Sequence, residues 1–331
     1  MATLKDIAQR AGVTATTVSR VINNRGYISE GTRKKVYAAM EEIHYQPNEL
    51  ARAFSKQYTN TIGLIVPHIS HPFFIKVISN LESSAAEKGF KLLLCNSKEQ
   101  PEKEQDYLDM CISNRVAGIV LCSKYVQTRE FRKMNIPVVN LERGGDDDTI
   151  SVQCDNYQGG KLAAEHLIEC GCKNLLHFGG VAGKDMPADR RADGFSDVCK
   201  KAGIPYRILV SDRLQYGSMH YEDFIRRALQ EFPDVDGIFA SSDLIASQVI
   251  QVGAQMGKRV PEDIQLIGFD DVMISTVTTP QITTIHQPVE EMTELCVEYI
   301  AKSLKNEFVP QKIVLPVRLV QRGTTVLKTE I

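Results

Sequence analysis

Past residue 60 the chain alternates between apolar runs of strand length and amphipathic helical patterns, and this alternation constrains the fold more than any other feature. Seven runs stand out: Ile62–Val66, Lys91–Cys95, Gly118–Cys122, Val138–Leu141, Leu175–Phe178, Ile238–Ala240 and Gln265–Phe269. Between them lie helical faces such as Phe74, Val77, Ile78, Leu81 and Ala85, and Ile245, Val249, Val252 and Met256. Near-continuous apolar strands joined by helices mean parallel sheets covered on both faces. The roughly 270 residues involved are long for one such sheet, so two lobes are expected. Ligands of open parallel sheets bind beyond the carboxyl ends of the strands, so the residues that follow each strand carry the interest.

The first 60 residues have a different pattern, short helices only. Leu4, Ile7, Ala8 and Ala11 share a helical face, Thr3 with Asp6 fits a capping box, and Gly12 ends the helix. Thr14 caps a second helix with Val18, Val21 and Ile22 on one side; Asn23, Asn24 and Gly26 stop it. Ser29 starts a third, with Val36, Met40 and Ile43 inward and Arg33, Lys34 and Lys35 in its first turn, where cations oppose the helix dipole. Tyr45-Gln46-Pro47 closes it, Asn48–Lys56 fits a fourth small helix, and Gln57–Asn60 reads as a linker. Charge divides along the same line. Residues 1–60 hold nine Lys and Arg against five acids; the rest holds thirty against thirty-six. The near-neutral whole is a basic head on an acidic body.

Other classes find little support. The N-terminus lacks the apolar core of a secretory signal, and no apolar run approaches a membrane span, so a cytoplasmic location is expected. Eight scattered cysteines without C-x-x-C spacing read as reduced, buried thiols rather than zinc ligands. His68 and His71 are bracketed by Pro67 and Pro72, which argues against a helical metal pair. Gly179–Asp185 resembles a phosphate loop, but Phe178 stands where its first glycine belongs and Asp185 where its hydroxyl belongs. No G-x-G-x-x-G follows a strand. No residue is assigned a catalytic role, no metal site is assigned, and no cofactor is expected.

The segments after the strands carry hydrogen-bonding groups interleaved with aromatics: Ser70–Phe74, Glu142-Arg143, Arg190–Phe195, Ser241–Asp243, Asp270-Asp271 and Thr284–Gln287, the last leading into the final crossover. Carboxylates and an arginine fork hold vicinal hydroxyls, and aromatic faces cover the apolar side of a sugar ring. Each alone is as well explained by a cap or a surface ion pair; together they favour a polar small-molecule cleft. In the head, a helix, a turn with Gly12 and a second helix describe a helix-turn-helix. Its exposed face carries Ala15, Thr16, Ser19 and Arg20, with Thr17 capping or contacting phosphate.

These residues carry a resemblance. D-I-A…A-G-V, T-V-S-R-V-I-N, T-R-K-K-V and Y-x-P-N-x-x-A-R in the first fifty or so residues resemble the head of the lactose-repressor/galactose-repressor (LacI/GalR) family of bacterial transcription regulators, and the rest resembles that family's sugar-binding-protein-like core. The resemblance implies a small all-α helix-turn-helix head on an α/β two-lobed periplasmic-binding-protein-like core with parallel sheets. The implied divisions are a head over 1–46, a hinge helix and linker over 47–60, and a core over 61–331. Within the core, one lobe takes about 61–158 and 290–318, the other about 159–289 and 319–331. The second helix is expected in the major groove of a pseudo-palindromic, double-stranded operator bound by a homodimer. Ala15, Thr16 and Arg20 fall on the specificity positions, and Thr3, Thr14, Thr17, Ser19, Asn23, Tyr45, Asn48 and Ala51 on further DNA contacts. Phe54 stands where the family's hinge wedges a leucine into the minor groove; phenylalanine is an accepted wedge.

For the effector, Arg191 matches the arginine of R-x-x-G-F, Asp270 the first aspartate of G-[FY]-D-D, and Gln287 lies in T-T-I-x-Q-P. His71, Phe73 and Phe74 occupy the N-P-F region, with His71 for the usual Asn; Glu142 stands for a frequent Asp and Ser242 for a frequent Asn. The implied function is a sugar-responsive repressor of a carbohydrate-utilisation operon, nucleoid-associated when bound to DNA, in which lobe closure alters the hinge helices. A neutral sugar is the first choice of effector, a sugar acid or phosphate the second. An activator within the class, and a cytoplasmic solute-binding protein or an α/β enzyme outside it, are the alternatives. The terminal RGTTVLKTEI reads as strand and tail, which favours dimers over tetramers.

Overall fold

The computed structural model describes residues 3–22, 26–45, 58–123, 136–143, 149–181 and 186–328. By its contacts the chain divides into two units, a head over Met1–Thr59 and a body over Asn60–Ile331. In the head, α1 (Leu4–Ala11) starts at a reciprocal cap: the Asp6 amide donates to Thr3 Oγ1 at 3.4 Å and the Thr3 amide to the Asp6 carboxylate at 2.7 Å. Gly12, at φ 66°, stops it in a left-handed backbone where a side chain is disfavoured. α2 (Ala15–Ile22) is capped by Thr14, whose Oγ1 accepts from the Thr17 amide at 3.1 Å. α3 (Glu30–Glu42) is capped by Ser29, whose Oγ accepts from the Thr32 amide at 3.3 Å.

The three helices meet on Ile7, Ala8, Val18, Val21, Val36 and Ala39; Met40, Ile43 and Tyr45 pack around them. Arg10 and Glu42 form an ion pair between α1 and the end of α3. One expectation needs correcting. The first turn of α3 carries Glu30, the sign that the dipole favours, while Arg33 stands fourth and Lys34 and Lys35 lie beyond the first turn. The expected fourth helix, Asn48–Lys56, lies outside the described residues, as do Asn23 and Asn24.

The body holds two six-stranded sheets. One contains β1 (Thr61–Val66), β2 (Lys91–Asn96), β3 (Gly118–Leu121), β4 (Val138–Leu141), β5 (Ile150–Cys154) and β11 (Lys312–Leu315), in the order β11-β5-β4-β3-β1-β2, all parallel. The other contains β6 (Leu175–Val181), β7 (Tyr206–Ser211), β8 (Gly237–Ala240), β9 (Gln265–Asp270), β10 (Thr283–His286) and β12 (Arg318–Val320), in the order β12-β10-β9-β8-β6-β7. Among the described residues only β12 runs antiparallel to its neighbour.

Helices cover both faces, as buried parallel strands require. α4 (Pro72–Glu87) and α12 (Val289–Ser303) lie on one face of the first sheet and α5 (Pro101–Ser113) on the other. α6 (Asn156–Glu169) and α7 (Arg190–Ala202) share a face of the second sheet; α9 (Glu222–Glu231) and α10 (Asp243–Gln255) take the opposite one. Two short helices, α8 (Arg213–Ser218) and α11 (Ile274–Val277), follow β7 and β9. The chain passes between the sheets three times: after Cys154, after His286, and between Leu315 and Arg318.

All seven expected strands are present, and β5, β7, β10, β11 and β12 join them. The terminal segment is a correction: residues 321–328 form no strand. Thr324 and Thr325 are buried there and bond through their hydroxyls to Leu266 O and Thr283 Oγ1, which takes the place of a ladder. All eight cysteines are free and buried. Among the described residues no helix is long and apolar enough to cross a membrane.

Candidate effector cleft and nucleic-acid face

A cavity of about 140 Å³ lies at the carboxyl ends of the strands, between the two sheets. It has room for on the order of ten water-sized groups. His71, Phe73, Phe74, Glu142, Arg191, Ser242, Asp270 and Gln287 all line it, so the structure brings together every effector residue expected from sequence. Each is nearly inaccessible.

Arg191 is the centre of the site. It sits one residue inside α7, which approaches α6 unusually closely. A Cβ on Gly160 would stand 1.9 Å from the Arg191 carbonyl oxygen, and one on Gly194 2.0 Å from the Tyr157 carbonyl oxygen. Two glycines let these backbones touch, and that contact brings Arg191 to the start of α6. There Arg191 Nε donates to Asn156 Oδ1 at 2.7 Å and Nη1 to the Ser241 carbonyl at 2.6 Å. The guanidinium lies 3.5 Å from the centre of the Phe269 ring. Asn156 Nδ2 in turn donates to Glu142 at 3.0 Å, and the Cys154 amide donates to the other oxygen of Glu142. Glu142, Asn156, Arg191 and Ser241 thus form one buried network that runs from the end of β4, across a crossover, to the end of β8.

Asp270 accepts from Gln287 Nε2 at 2.6 Å. Burial pushes its carboxyl up to about 7, against the opposing pull of Arg191 and the Gln287 bond. His71 caps α4: the Phe73 amide donates to its Nδ1 at 3.3 Å. Nδ1 is therefore unprotonated and Nε2 carries the hydrogen. Burial, then His68 and Arg191, lower His71 to about 4, so it is a neutral donor at physiological pH. Ser242 caps α10, its Oγ accepting from the Ile245 amide at 3.2 Å. Two buried polar atoms of the lining, Ser123 Oγ and Gln287 Oε1, have no partner among the described residues, as expected of groups that a ligand or water completes.

Three lining acids have left-handed backbones: Glu99 at φ 59°, Glu142 at 52° and Asp270 at 105°. Such conformations cost on the order of 1–3 kcal/mol each and persist where surroundings over-determine them, commonly at ligand sites. Among the described residues that line the cavity, the acids, which also include Asp189, outnumber the arginine. Arg190, paired in the sequence reading with Arg191, turns away to a largely exposed ion pair with Asp193 at 2.8 Å and a contact with the Tyr157 ring. Arg143 is likewise outside the lining; it donates to the Ser123 carbonyl and to Asn140 Oδ1.

The sequence reading missed Asn156, Ser123, Tyr216 and Tyr221. The two tyrosines follow β7, an edge strand whose mixed burial hid it from an apolar-run search. Asn156 follows β5, which the polar Ser151 and Gln153 hid from the same search.

In the head, Thr16 and Arg20 are exposed on α2, and Ser19 is half-buried. Ala15 is half-buried against the helical core, so it offers less surface than the pattern implied. Thr17 is half-buried, with its hydroxyl 2.9 Å from that of Thr14. Thr3 and Thr14 are exposed caps, and Tyr45 packs against the head core. Tyr27, 96% exposed on the same unit, was not singled out. Asn23, Asn48, Ala51 and Phe54 lie outside the described residues.

Comparison with known proteins agrees with this division. Residues 3–48 match the model for bacterial regulatory proteins of the lacI family, and residues 164–325 that for a periplasmic binding protein-like domain. A ribose operon repressor from Halalkalibacterium halodurans is 34% identical, over 98% of this chain and 97% of its own length. A periplasmic binding protein/LacI transcriptional regulator from Alkaliphilus metalliredigens, solved with D-xylulofuranose, is 32% identical with a TM-score of 0.73, over 81% of this chain and all of its own. The lac repressor dimer bound to operator and an anti-inducer shares the fold over 98% of this chain and 99% of its own, with a TM-score of 0.82 and 24% identity. The chain belongs to the lacI family of bacterial regulatory proteins. It is a DNA-binding transcription regulator rather than an enzyme.

Proposed function

We propose that the protein is a homodimeric, cytoplasmic repressor of a carbohydrate-utilisation operon, whose affinity for a pseudo-palindromic operator is set by a neutral monosaccharide in the cleft between the lobes. The observation that carries this reading is the cavity itself: among the described residues, carboxylates, the Gln287 amide and Arg191 beside Phe73 and Phe74, in a space of about 140 Å³. The carboxylates of Glu99, Glu142 and Asp189 in the described lining disfavour an anionic effector. The arginine has two of its donor groups occupied by Asn156 and Ser241 and its face on Phe269, which weakens the case for a sugar acid or phosphate. The relative named for ribose and the neighbour holding D-xylulofuranose point to pentoses as the first compounds to test.

The mechanism follows from which groups each lobe supplies. His71, the phenylalanines and Glu142 come from the first sheet's lobe; Arg191, Ser242 and Asp270 come from the second. A ligand that bonds both sets favours the closed arrangement by its differential affinity. The body begins in sequence at β1, a strand of the first lobe, and closure is expected to change the spacing of two heads in a dimer. On DNA, Arg20 and Thr16 read base edges while the α1 and α2 caps approach phosphate.

A thermal-shift screen of neutral pentoses and hexoses tests the cleft. A native-state ligand at a hundred times its Kd stabilises by about 2.7 kcal/mol. No shift with any neutral sugar, together with a clear shift from a sugar phosphate, overturns the choice of effector.

A further inference from the structure

Arg322 lies outside the cavity, close to the end of the chain. The segment that bears it is strapped to the second sheet by buried hydroxyls. Thr324 Oγ1 donates to the Leu266 carbonyl at 2.6 Å and accepts from the Thr283 amide at 2.8 Å. Thr325 Oγ1 lies 2.9 Å from both Thr283 Oγ1 and His166 Nε2. The Arg322 amide itself donates to Thr283 Oγ1 at 2.9 Å. The strap fixes the point from which the guanidinium departs.

That guanidinium ends on the turn behind the effector carboxylate. Nη2 donates to Asp271 Oδ1 at 2.6 Å, and Nη1 to the Ile282 carbonyl at 2.9 Å and to Ser275 Oγ at 3.2 Å. The other Asp271 oxygen is 2.8 Å from His286 Nδ1. Lys76, on α4 of the opposite lobe, donates to the Asp271 carbonyl at 3.4 Å. Asp271 is therefore gripped through both carboxylate oxygens and its carbonyl. Both residues of the turn are left-handed, Asp270 at φ 105° and Asp271 at 53°. Two such non-glycine residues in succession hold only where neighbours over-determine the backbone.

We infer that Arg322 is a positioning residue for effector recognition: by clamping Asp271 it holds the Asp270–Asp271 turn in the conformation that presents the Asp270 carboxylate to the cavity. The inference rests on the sugar reading of the cleft. It assigns a recognition role to a residue that touches no ligand, through a fork whose geometry lysine cannot reproduce in full.

The test uses full-length protein with D-ribose as probe, followed by calorimetry, for wild type, Arg322→Gln, Arg322→Lys, Asp270→Asn and the double variant Asp270→Asn/Arg322→Gln. Arg322→Gln is expected to weaken D-ribose binding at least about tenfold, the order of one lost charged hydrogen bond, and Arg322→Lys to recover part of it. The double variant should bind no more weakly than Asp270→Asn alone, because the clamp acts through that carboxylate. Losses that multiply overturn the inference, since a merely structural residue gives independent effects. If Arg322→Gln does not fold, Arg322→Lys against the Asp270→Asn background carries the same comparison.

If wild type does not bind D-ribose, that choice of sugar fails, and the clamp is decided without ligand by the carboxyl-carbon titration of Asp270. Its titration near neutrality, set by burial with Arg191, Glu142, Lys76 and the buried Asp243 nearby, should move toward the ordinary aspartate range in the Arg322 variant, whereas loss of the cation alone would raise it. An unmoved titration overturns the inference.

Discussion

The head and the body solve the problem of combining stability with recognition in opposite ways. Among the described residues the head stands on six buried side chains, and the groups proposed for DNA recognition, Thr16 and Arg20, are exposed. The body has three apolar clusters, and its recognition groups are themselves buried, held by one another's hydrogen bonds and by left-handed backbones. In the head, contact chemistry can change with little cost to folding. In the cleft the groups proposed to meet a ligand also join the lobes, so on that reading recognition and stability are not separable.

Four substitutions sharpen or break that contrast. The largest effect is expected from Gly194→Ala. The added carbon would meet the Tyr157 carbonyl at 2.0 Å, backbone against backbone, so the loss should exceed the usual overpacking range, at about 4 kcal/mol or more. Chemical denaturation should show the body destabilised, with sugar binding lost because Arg191 moves with α7.

Next in size is a pH effect. The folded-state carboxyl of Asp270 is raised to about 7, so between about pH 4 and 7 the folded protein holds a proton that the unfolded chain has released. Stability from this group is present at low pH and is lost as pH rises through that window, by on the order of 4 kcal/mol. His71 and His177, each lowered to about 4 by burial, act in the other direction between about pH 4 and 6.5. The difference between Asp270→Asn and wild type isolates the aspartate: it should grow in favour of the variant from pH 4 to 7 and then level. A flat difference contradicts the buried acid.

Ile7→Ala should remove about 2–3 kcal/mol from the head. Because the head is small, operator binding should fail while sugar binding by the body stays intact; a parallel loss of sugar binding would break the separation of the two units. Smallest is Arg20→Ala. It should cost about 1–2 kcal/mol in operator affinity and relax the sequence preference, with an unchanged thermal midpoint. A lowered midpoint would mean that the exposed face of α2 does carry structural load.

The two regions also differ in how far their sequences could be read. The helices of the head follow from the Thr3–Asp6 box, Gly12, Thr14 and Ser29, because caps are local chemistry. In the body, seven strands, six of them central and one (β2) at an edge, announced themselves through largely apolar runs. β7 did not, because an edge strand exposes Arg207, Ile208 and Val210. β10 did not either, since Thr283 and Thr284 look polar until their hydroxyls are seen bonded to Thr325 and Asp243 inside the sheet. The cleft residues were legible because they follow strands; Asn156, which ties Glu142 to Arg191, was not, because its role exists only once two lobes meet. Arg190 shows the converse: adjacent to Arg191 in sequence, it faces solvent one position earlier at the start of the helix.

The central claim is that a sugar in the body sets the affinity of the head for DNA. It is tested most directly by operator binding at fixed salt, with and without a saturating neutral sugar, for wild type and Arg191→Ala. The salt must be held because phosphate contacts make affinity steeply salt-dependent. The account predicts a change of about tenfold or more in wild type, within the usual 1–3 kcal/mol of allosteric coupling, and none in Arg191→Ala, which should still bind operator. A wild type that binds the sugar while its operator affinity stays constant would contradict it.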